Sequence, residues 1–281
     1  MLYYILRPFV TFLLKFFIKQ IKITGIENIP KSGAVMLAST HANSFFDAVL
    51  LCCTLDRRIW SLARGDVFKK SLAKKALSSL FMMPVHRLSE GKEHLGDNDE
   101  TFKKCIELFK QGEMVLIFSE GLCTNQTKLL PLKKGTGRLA QKAWGDEISL
   151  TVIPVAITYN TFTTYGKVIN LSFGEAIQKA DLPNPAEDGV FLRRFNEVLT
   201  EKLNQLLSWN FPKLSPAQTP FFTLGYITHF PAIWLATFIS KKLTRGIVFF
   251  DSITIGLMIV LMPLYWLILF FVVRTSYSLF C

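Results

Sequence analysis

Between residues 24 and 175, short apolar runs alternate with segments of helical periodicity, and this alternation constrains the fold more than any other feature. Strands that alternate with helices predict an α/β fold with a central, mostly parallel sheet flanked by helices. The predicted strands are residues 34–39, 59–63, 81–86, 114–119, 150–159 and 168–173, and the predicted helices between them lie near residues 46–55, 67–79, 99–111 and 135–144.

The N-terminal segment, residues 1–23, predicts an amphipathic helix. Arg7, Thr11, Lys15 and Lys19 recur at four-residue steps and share one helical face, while Phe, Leu and Ile fill the rest. A helix of this kind lies in a membrane interface with its basic face toward the headgroups. A helix that caps a soluble core is the alternative. The charges interrupt the apolar run and no small-residue cleavage site follows, so a secretory signal peptide fits poorly.

The C-terminal segment, residues 211–281, predicts membrane association, and residues 24–210 form the main domain between the two apolar ends. Residues 253–273 carry no charge, and a helix of that length covers about 30 Å, the thickness of a bilayer's hydrocarbon core. Pro263 lies near the middle of this run, so either a kinked span or a re-entrant hairpin is compatible with it. Basic residues before the run favour a cytoplasmic position for the preceding loop.

Basic residues outnumber acidic residues by 32 to 21, which gives a net charge of +11 although only 19% of the residues are charged. An excess of Lys and Arg favours nucleic acid, an anionic membrane surface or a phosphorylated substrate. The 25 phenylalanines and the apolar C-terminus favour the membrane, and we expect no nucleic-acid partner because zinc-ligand spacing and RNP-like strands are missing. The five cysteines include no C-x-x-C pair, which argues against a disulfide framework and a zinc site.

Polar residues follow several of the predicted strands, and α/β proteins gather functional groups at the carboxyl ends of strands. His41 follows the first strand, and Asp47 begins the apolar helix behind it. A histidine can accept a proton from a hydroxyl near neutral pH, and a carboxylate on its other ring nitrogen fixes the tautomer and stabilises the imidazolium. Taken alone, such a pair is more often a structural cap or hydrogen bond than a catalytic pair.

Three further positions suit an anionic ligand. Arg87 follows the third predicted strand and offers a planar fork of donors that matches phosphate. Glu120 and Gly121 end a strongly apolar strand, and the glycine allows a ligand to approach the backbone closely. Lys133 and Lys134 precede a helix, whose N-terminal N–H groups and dipole add to their attraction for an anion. The plain reading of the same residues is a solvated arginine and exposed lysines beside a capped helix.

In this order, the clusters resemble the PlsC-like glycerolipid acyltransferase superfamily, which includes lysophosphatidic acid and glycerol-3-phosphate acyltransferases. The family pattern is a His-x4-Asp box, a block ending in Arg, F-P-E-G-T-R with a downstream P-F-K-x-G, and a V-x-P-V strand. The resemblance covers residues 25–175. The matching segments are His41 to Asp47, Phe81 to Arg87, "FSEG" (118–121) with "PLKKG" (131–135), and "VIPVAI" (152–157).

Two departures from the family pattern bear on the substrate. The first box has five residues rather than four between its His and Asp, as in a branch that looks like glycerol-3-phosphate or dihydroxyacetone-phosphate acyltransferases. In the third box Ser119 replaces the proline, and Leu122-Cys123 stands where Thr-Arg is usual. The missing arginine places more of the implied phosphate binding on Arg87 and Lys133.

The resemblance implies transfer of a fatty acyl group from acyl-CoA or acyl-ACP to a hydroxyl of glycerol-3-phosphate or 1-acylglycerol-3-phosphate, with a thioester tunnel and no metal or prosthetic group. His41 is the implied general base and Asp47 its orienting carboxylate. The sequence does not name the oxyanion donor, for which a backbone N–H near the helix that starts at Asn43 or Ser44 is a candidate. The domain is expected to face the cytoplasm and to work on membrane lipids. The implied acceptor-site residues are Arg87, Glu120, Gly121, Lys133 and Lys134.

Three alternatives remain open from the residues, and one of them, a basic nucleic-acid binder, predicts salt-sensitive binding to DNA and no thioester cleavage. The other two involve lipids. One is an acyltransferase with another acceptor, such as a different lysolipid or a lipid amine. The other is a membrane lipid-binding protein without turnover, although such a protein has no need of a base at His41. His86, His94 and His229 are interpreted as structural or solvated histidines.

Overall fold

The structure is a computed structural model that describes residues 2–86, 95–182, 188–213, 218–245 and 247–280. The strands are β1 (Ile18–Thr24), β2 (Val35–Ser39), β3 (Ile59–Arg64), β4 (Met82–Val85), β5 (Met114–Phe118), β6 (Thr151–Tyr159) and β7 (Lys167–Phe173). The helices are α1 (Leu2–Phe17), α2 (Ser44–Thr54), α3 (Ser71–Ser79), α4 (Leu95–Lys110), α5 (Lys134–Gly145), α6 (Asp188–Leu206), α7 (Gln218–Thr244) and α8 (Phe250–Phe280).

The strands form one sheet in the order β1-β7-β6-β2-β5-β3-β4. Strands β2 to β6 run parallel to one another, β7 is antiparallel to β6, and β1 is parallel to β7. The predicted α/β fold with a mostly parallel sheet is therefore confirmed. Because the five parallel strands point the same way, the residues that follow them meet at one edge of the sheet.

Helices cover both faces of the sheet, and each face has its own apolar core. One core contains residues of α1, α2, α7 and α8, and the other contains residues of α4, α5 and α6. In β2, Val35 and Leu37 belong to the first core and Met36 and Ala38 to the second, and all four side chains are fully buried. A strand buried on both faces reads as a continuous apolar run, which explains why the sequence identified these strands well.

The N-terminal helix is shorter than the predicted segment 1–23, because α1 ends at Phe17 and the next residues form strand β1. The sequence of β1, IKQIKIT, is rich in β-branched residues, which favour a strand at a partly exposed sheet edge. β1 pairs with β7 over residues 18–24, and so the chain enters the sheet directly from the helix.

The basic face predicted for α1 is only partly available to headgroups. The Arg7 guanidinium donates hydrogen bonds to the carbonyl oxygens of Cys52 (2.9 Å) and Leu55 (2.8 Å), where α2 ends. Arg7 thus satisfies carbonyl groups at the end of α2, and the predicted role of this basic face at the membrane stays a prediction. The side of α1 that faces away from the sheet exposes apolar residues, including Tyr4 and Ile5.

Helices α7 and α8 form a hairpin that packs against α1, and α8 also contacts α2. Within the described residues, Phe222–Thr244 and Phe250–Ser276 are long and apolar enough to cross a bilayer, with mean hydropathies of 1.3 and 2.6. Pro263 lies inside α8, which continues past it. The first half of α8 is partly buried against the domain, whereas Leu264 and residues 267–273 expose apolar side chains.

Candidate active site

His41 lies just beyond the carboxyl end of β2, near the middle of the sheet. β2 lies between β5 and β6, so residues that follow these three parallel strands come close together. Glu120 comes shortly after β5, and Tyr159 is the last residue of β6. Asp47 reaches the same place from the first turn of α2. The fold thus brings three acidic or phenolic side chains around one imidazole.

The His41 imidazole and the Asp47 carboxylate form a hydrogen-bonded pair. Nδ1 of His41 lies 3.0 Å from Oδ2 of Asp47, whose side chain is fully buried, while 14% of the His41 side chain is exposed. The backbone N–H of Asn43 donates to the same Oδ2 (2.8 Å), and the Tyr159 hydroxyl donates to Oδ1 (2.6 Å). These bonds offset the cost of burying a carboxylate.

The surroundings of His41 also define which ring nitrogen is free. A proton on Nδ1 is donated to Asp47, so Nε2 carries the lone pair that can accept a proton. The ring stacks on Phe118, with centroids 3.8 Å apart and planes inclined by 15°. Contacts at the ring edge and on the ring face therefore hold the imidazole in one orientation.

Glu120 braces the backbone beside His41. Its Oε1 accepts the N–H of His41 (2.8 Å), and its Oε2 accepts the N–H of Leu130 (2.9 Å). Burial raises the pKa of Glu120, and the hydrogen bonds from Leu130 and His41 oppose that rise. Both carboxylate oxygens of this predicted substrate-binding residue are thus engaged by the protein itself.

Gly121 and Lys133, two of the predicted acceptor-site residues, lie against each other. Gly121 has a φ of +63°, and a Cβ on it would lie 2.9 Å from Cγ of Lys133. The N–H of Lys133 donates to the carbonyl oxygen of Ser119 (2.8 Å), which brings the start of α5 beside the end of β5. Lys133 and Lys134 are exposed at this helix N-terminus, where N–H groups and cations attract an anion.

The candidate oxyanion donors are both engaged. The N–H of Asn43 binds Asp47, and the N–H of Ser44 points at Sγ of Cys123, 2.8 Å away. Ser44 has a φ of +51°, a strained backbone conformation for a residue other than glycine. A thiol sulfur is a weak acceptor, so a stronger acceptor can compete with it for the Ser44 N–H.

The remaining predicted residues lie away from the pair or outside the described part of the chain. Arg87 and His94 fall outside the described residues. The ring of His86 lies where a Cβ on Gly65 would be, 2.0 Å from such an atom, so the two residues pack tightly. His229 lies on α7, where its Nδ1 is 2.9 Å from the carbonyl oxygen of Gly225.

Tyr159 and Asp251 are site residues that the sequence reasoning missed. Burial, followed by the negative charge of Asp47, raises the pKa of Tyr159 well above its ordinary value, so the phenol stays a donor. Its position as the last residue of an apolar strand was a usable signal. Asp251 reaches the site from α8, and its side chain accepts a hydrogen bond from the amide of Asn43.

Known proteins share parts of this chain. The crystal structure of the 1-acyl-sn-glycerophosphate (LPA) acyltransferase PlsC from Thermotoga maritima matches with a TM-score of 0.49 and 19% identity, over 73% of this chain and 83% of that one. The 1-acyl-sn-glycerol-3-phosphate acyltransferase of Bacillus subtilis is 25% identical over 191 residues, which are 66% of this chain and 87% of the relative.

A chloroplastic 1-acyl-sn-glycerol-3-phosphate acyltransferase of Arabidopsis thaliana is 25% identical over 138 residues, 49% of this chain. The match spans only 36% of that relative's length. A family model described as "Acyltransferase" matches residues 20–158, a segment that contains His41, Asp47, Glu120 and Gly121. The same segment carries the ordered motifs whose ends meet at the sheet edge, and residues 20–158 are therefore similar to the acyltransferase family that this model describes.

Proposed function

We propose that this protein is an O-acyltransferase of phospholipid biosynthesis. It moves a fatty acyl group from a thioester, acyl-CoA or acyl-ACP, to a hydroxyl of 1-acylglycerol-3-phosphate or glycerol-3-phosphate. The observation that carries the proposal is the His41–Asp47 pair, in which Nδ1 and Oδ2 lie 3.0 Å apart at the carboxyl edge of the sheet. The names of the relatives favour 1-acylglycerol-3-phosphate among the acceptors.

In the proposed reaction, Nε2 of His41 takes the proton of the acceptor hydroxyl while its oxygen attacks the thioester carbonyl carbon. Asp47 stabilises the imidazolium that forms, and base catalysis of this kind contributes about 10²- to 10⁴-fold in rate. The tetrahedral intermediate then expels the thiolate, which receives the proton from the imidazolium. The acyl group passes directly to the acceptor, so no acyl-enzyme forms and no metal or prosthetic group is needed.

The start of α2 is the proposed place for the developing oxyanion. The Ser44 N–H is aimed outward at the Cys123 sulfur, and an oxyanion is a far stronger acceptor than a thiol. The N-terminal end of a helix adds a favourable partial charge there. Donors of this kind typically stabilise a transition state by about 3 to 4 kcal/mol each.

The acceptor phosphate is proposed to bind beside Gly121, at the N-terminus of α5, with Lys133 and Lys134 as cations. Arg87 remains a proposed phosphate ligand from the family pattern alone. Glu120 is assigned to support the backbone of His41, because both of its carboxylate oxygens accept backbone N–H groups. The α7–α8 hairpin and the apolar side of α1 would hold this site at the cytoplasmic surface of a membrane, where both substrates partition.

The test uses the full-length chain in membranes and follows free thiol released from palmitoyl-CoA. The acceptors are 1-acylglycerol-3-phosphate, glycerol-3-phosphate, other lysophospholipids and a lipid amine, each also tried with acyl-ACP. We expect release that depends on one acceptor, is lost in His41→Ala and is kept in His229→Phe, a control on α7 that retains an aromatic ring. Lipid binding without release for any donor and acceptor would contradict the proposal.

A further inference from the structure

The hairpin places a buried ion pair against the loop that joins His41 to α2. Asp251, in the first turn of α8, lies 2.9 Å from Nζ of Lys167 at the start of β7, and both side chains are fully buried. The same oxygen of Asp251 accepts a hydrogen bond from the side-chain amide of Asn43. Lys167 also donates to the carbonyl oxygen of Thr161 (2.7 Å).

Asn43 connects this ion pair to the catalytic pair. Its side chain is bound to Asp251, and its backbone N–H donates to Oδ2 of Asp47 (2.8 Å), the oxygen that faces Nδ1 of His41. A second contact runs beside it, from the N–H of Phe46 to Oγ of Ser252 (3.2 Å). The first turn of α8 therefore binds the chain here at two points, one in the loop and one in the first turn of α2.

Stability alone is a weak reason for such a pair. Removing two charges from water is costly, and a buried ion pair is often no more stabilising than apolar side chains of similar volume. Burial lowers the pKa of Lys167, and the negative charge of Asp251 opposes this. The pair costs desolvation energy and fixes a carboxylate oxygen at a defined point above the loop.

We propose that Asp251 is a positioning residue for the acyl transfer, which acts through Asn43 to hold Asp47 in register with His41. Lys167 compensates the charge of Asp251. The kinetic test of this inference, a change in kcat, rests on the proposed function. The second test, the proton NMR signal of His41, does not depend on that function. Asp251 contacts neither the acceptor nor the thioester in this scheme.

The experiment compares full-length variants in detergent or proteoliposomes. Asn43→Ala removes the side-chain amide and leaves the Lys167–Asp251 pair intact. Asp251→Leu with Lys167→Met removes both charges and the acceptor oxygen, whereas Asp251→Asn with Lys167→Met removes the charges but keeps an oxygen that can accept from Asn43. Thr254→Val is the control, because buried Thr254 lies on the same helix and bonds Ser240 within the hairpin.

For Asn43→Ala, and for Asp251→Leu with Lys167→Met, we expect kcat to fall by about 100-fold. A misplacement of about 1 Å produces an effect of this size. KM for both substrates should change little. The triple variant that combines Asn43→Ala with Asp251→Leu and Lys167→Met should lose no more kcat than either set of substitutions alone, because both break the same contact. Asp251→Asn with Lys167→Met should keep most of the wild-type kcat, and Thr254→Val should match the wild type.

The second readout is the low-field proton NMR signal of the hydrogen-bonded Nδ1–H of His41, assigned by its loss in His41→Ala. We expect this signal to vanish in Asn43→Ala and in Asp251→Leu with Lys167→Met. It should persist in Asp251→Asn with Lys167→Met and in Thr254→Val. An unchanged kcat and proton signal in Asn43→Ala, or equal damage in Thr254→Val, would overturn the proposal. A wild type that transfers no acyl group would contradict the proposed function, while the proton signal would still decide the positioning role.

Discussion

The imidazole of His41 is held from three sides, by Asp47 at Nδ1, by Phe118 on one ring face and by Glu120 at the backbone N–H. Such restraint is useful only where the ring must present one nitrogen in one direction. A base that is oriented before the substrate arrives does not have to be ordered during the reaction. Substitutions of the residues around His41 are therefore the sharpest tests of the proposed chemistry.

Asp47→Asn tests the orientation of that base. An amide presents N–H groups as well as an oxygen to the imidazole, and it does not stabilise the imidazolium, so Nε2 loses its basic lone pair in part of the molecules. We expect kcat to fall by about 10²- to 10⁴-fold with little change in KM. Kinetics of thiol release measure this, and a kcat within a few-fold of the wild type would be incompatible with the assigned role.

Tyr159→Phe tests the second hydrogen bond to Asp47. The loss of the phenol leaves a buried carboxylate oxygen without this donor, which should lower the free energy of unfolding by about 1 to 3 kcal/mol. The pKa of Tyr159 is raised in the folded protein, so its contribution is complete below the unfolded pKa of about 10 and is lost as pH rises above it. Thermal unfolding from pH 8 to 11 should therefore show a smaller alkaline loss in the variant than in the wild type.

Cys123→Ala separates direct transfer from a covalent route. The Cys123 sulfur accepts the Ser44 N–H and has no part in the proposed bond changes. We expect the variant to keep acceptor-dependent thiol release, and no acyl group should be trapped on the protein. Loss of all transfer, together with an acyl-enzyme in the wild type, would show that the thiol is a nucleophile.

The sequence could predict the His41–Asp47 pair because six positions separate the two residues and a short turn brings them together. Tyr159 and Asp251 could not be predicted in the same way. Tyr159 is 112 residues from Asp47, and it meets Asp47 only because β6 pairs with β2 in the sheet. Asp251 is 208 residues from Asn43 and depends on how the hairpin docks.

At the scale of one element, α5 determines where an anion can bind. Lys133 precedes the first residue of the helix and lies against Gly121, while Lys142 occupies the last turn. We expect Lys133→Glu to raise KM for the phosphorylated acceptor by about 10-fold or more, with a smaller effect on kcat, because a charge-assisted bond is lost. Lys142→Glu makes the same charge change at the other end of the helix and should leave KM unaltered.

The accuracy of the strand predictions follows from where each strand lies. β2 and β5 are apolar on both faces because helices cover both sides, and their predicted bounds agree with the structure to within a residue. β1 was missed because it continues from α1 without a glycine or proline between them. The four polar residues of β1, Lys19, Gln20, Lys22 and Thr24, are too few to distinguish a strand from a continuation of the amphipathic helix.

At the scale of the whole molecule, the hairpin and the domain form one packed unit. Ile255 and Met258 of α8 are buried in the same apolar core as Leu37 and Leu51, so this half of the helix has the domain as its environment. The sequence predicted an apolar C-terminal segment but could not predict this docking, since composition does not distinguish lipid from protein as the neighbour of a helix.

The bond between Asn43 and Asp251 has a mechanical consequence. In the proposed membrane-bound protein, a helix longer than the surrounding hydrocarbon layer relieves the mismatch by tilting, whereas a shorter one thins the bilayer around it. Tilt of α8 would pull on the residue that touches Asp47. The hydrophobic thickness of the bilayer should therefore tune catalysis. In proteoliposomes of monounsaturated phosphatidylcholines with increasing chain length, we expect kcat to pass through a maximum. Asn43→Ala, which uncouples the helix from the loop, should show a flat profile at a lower level.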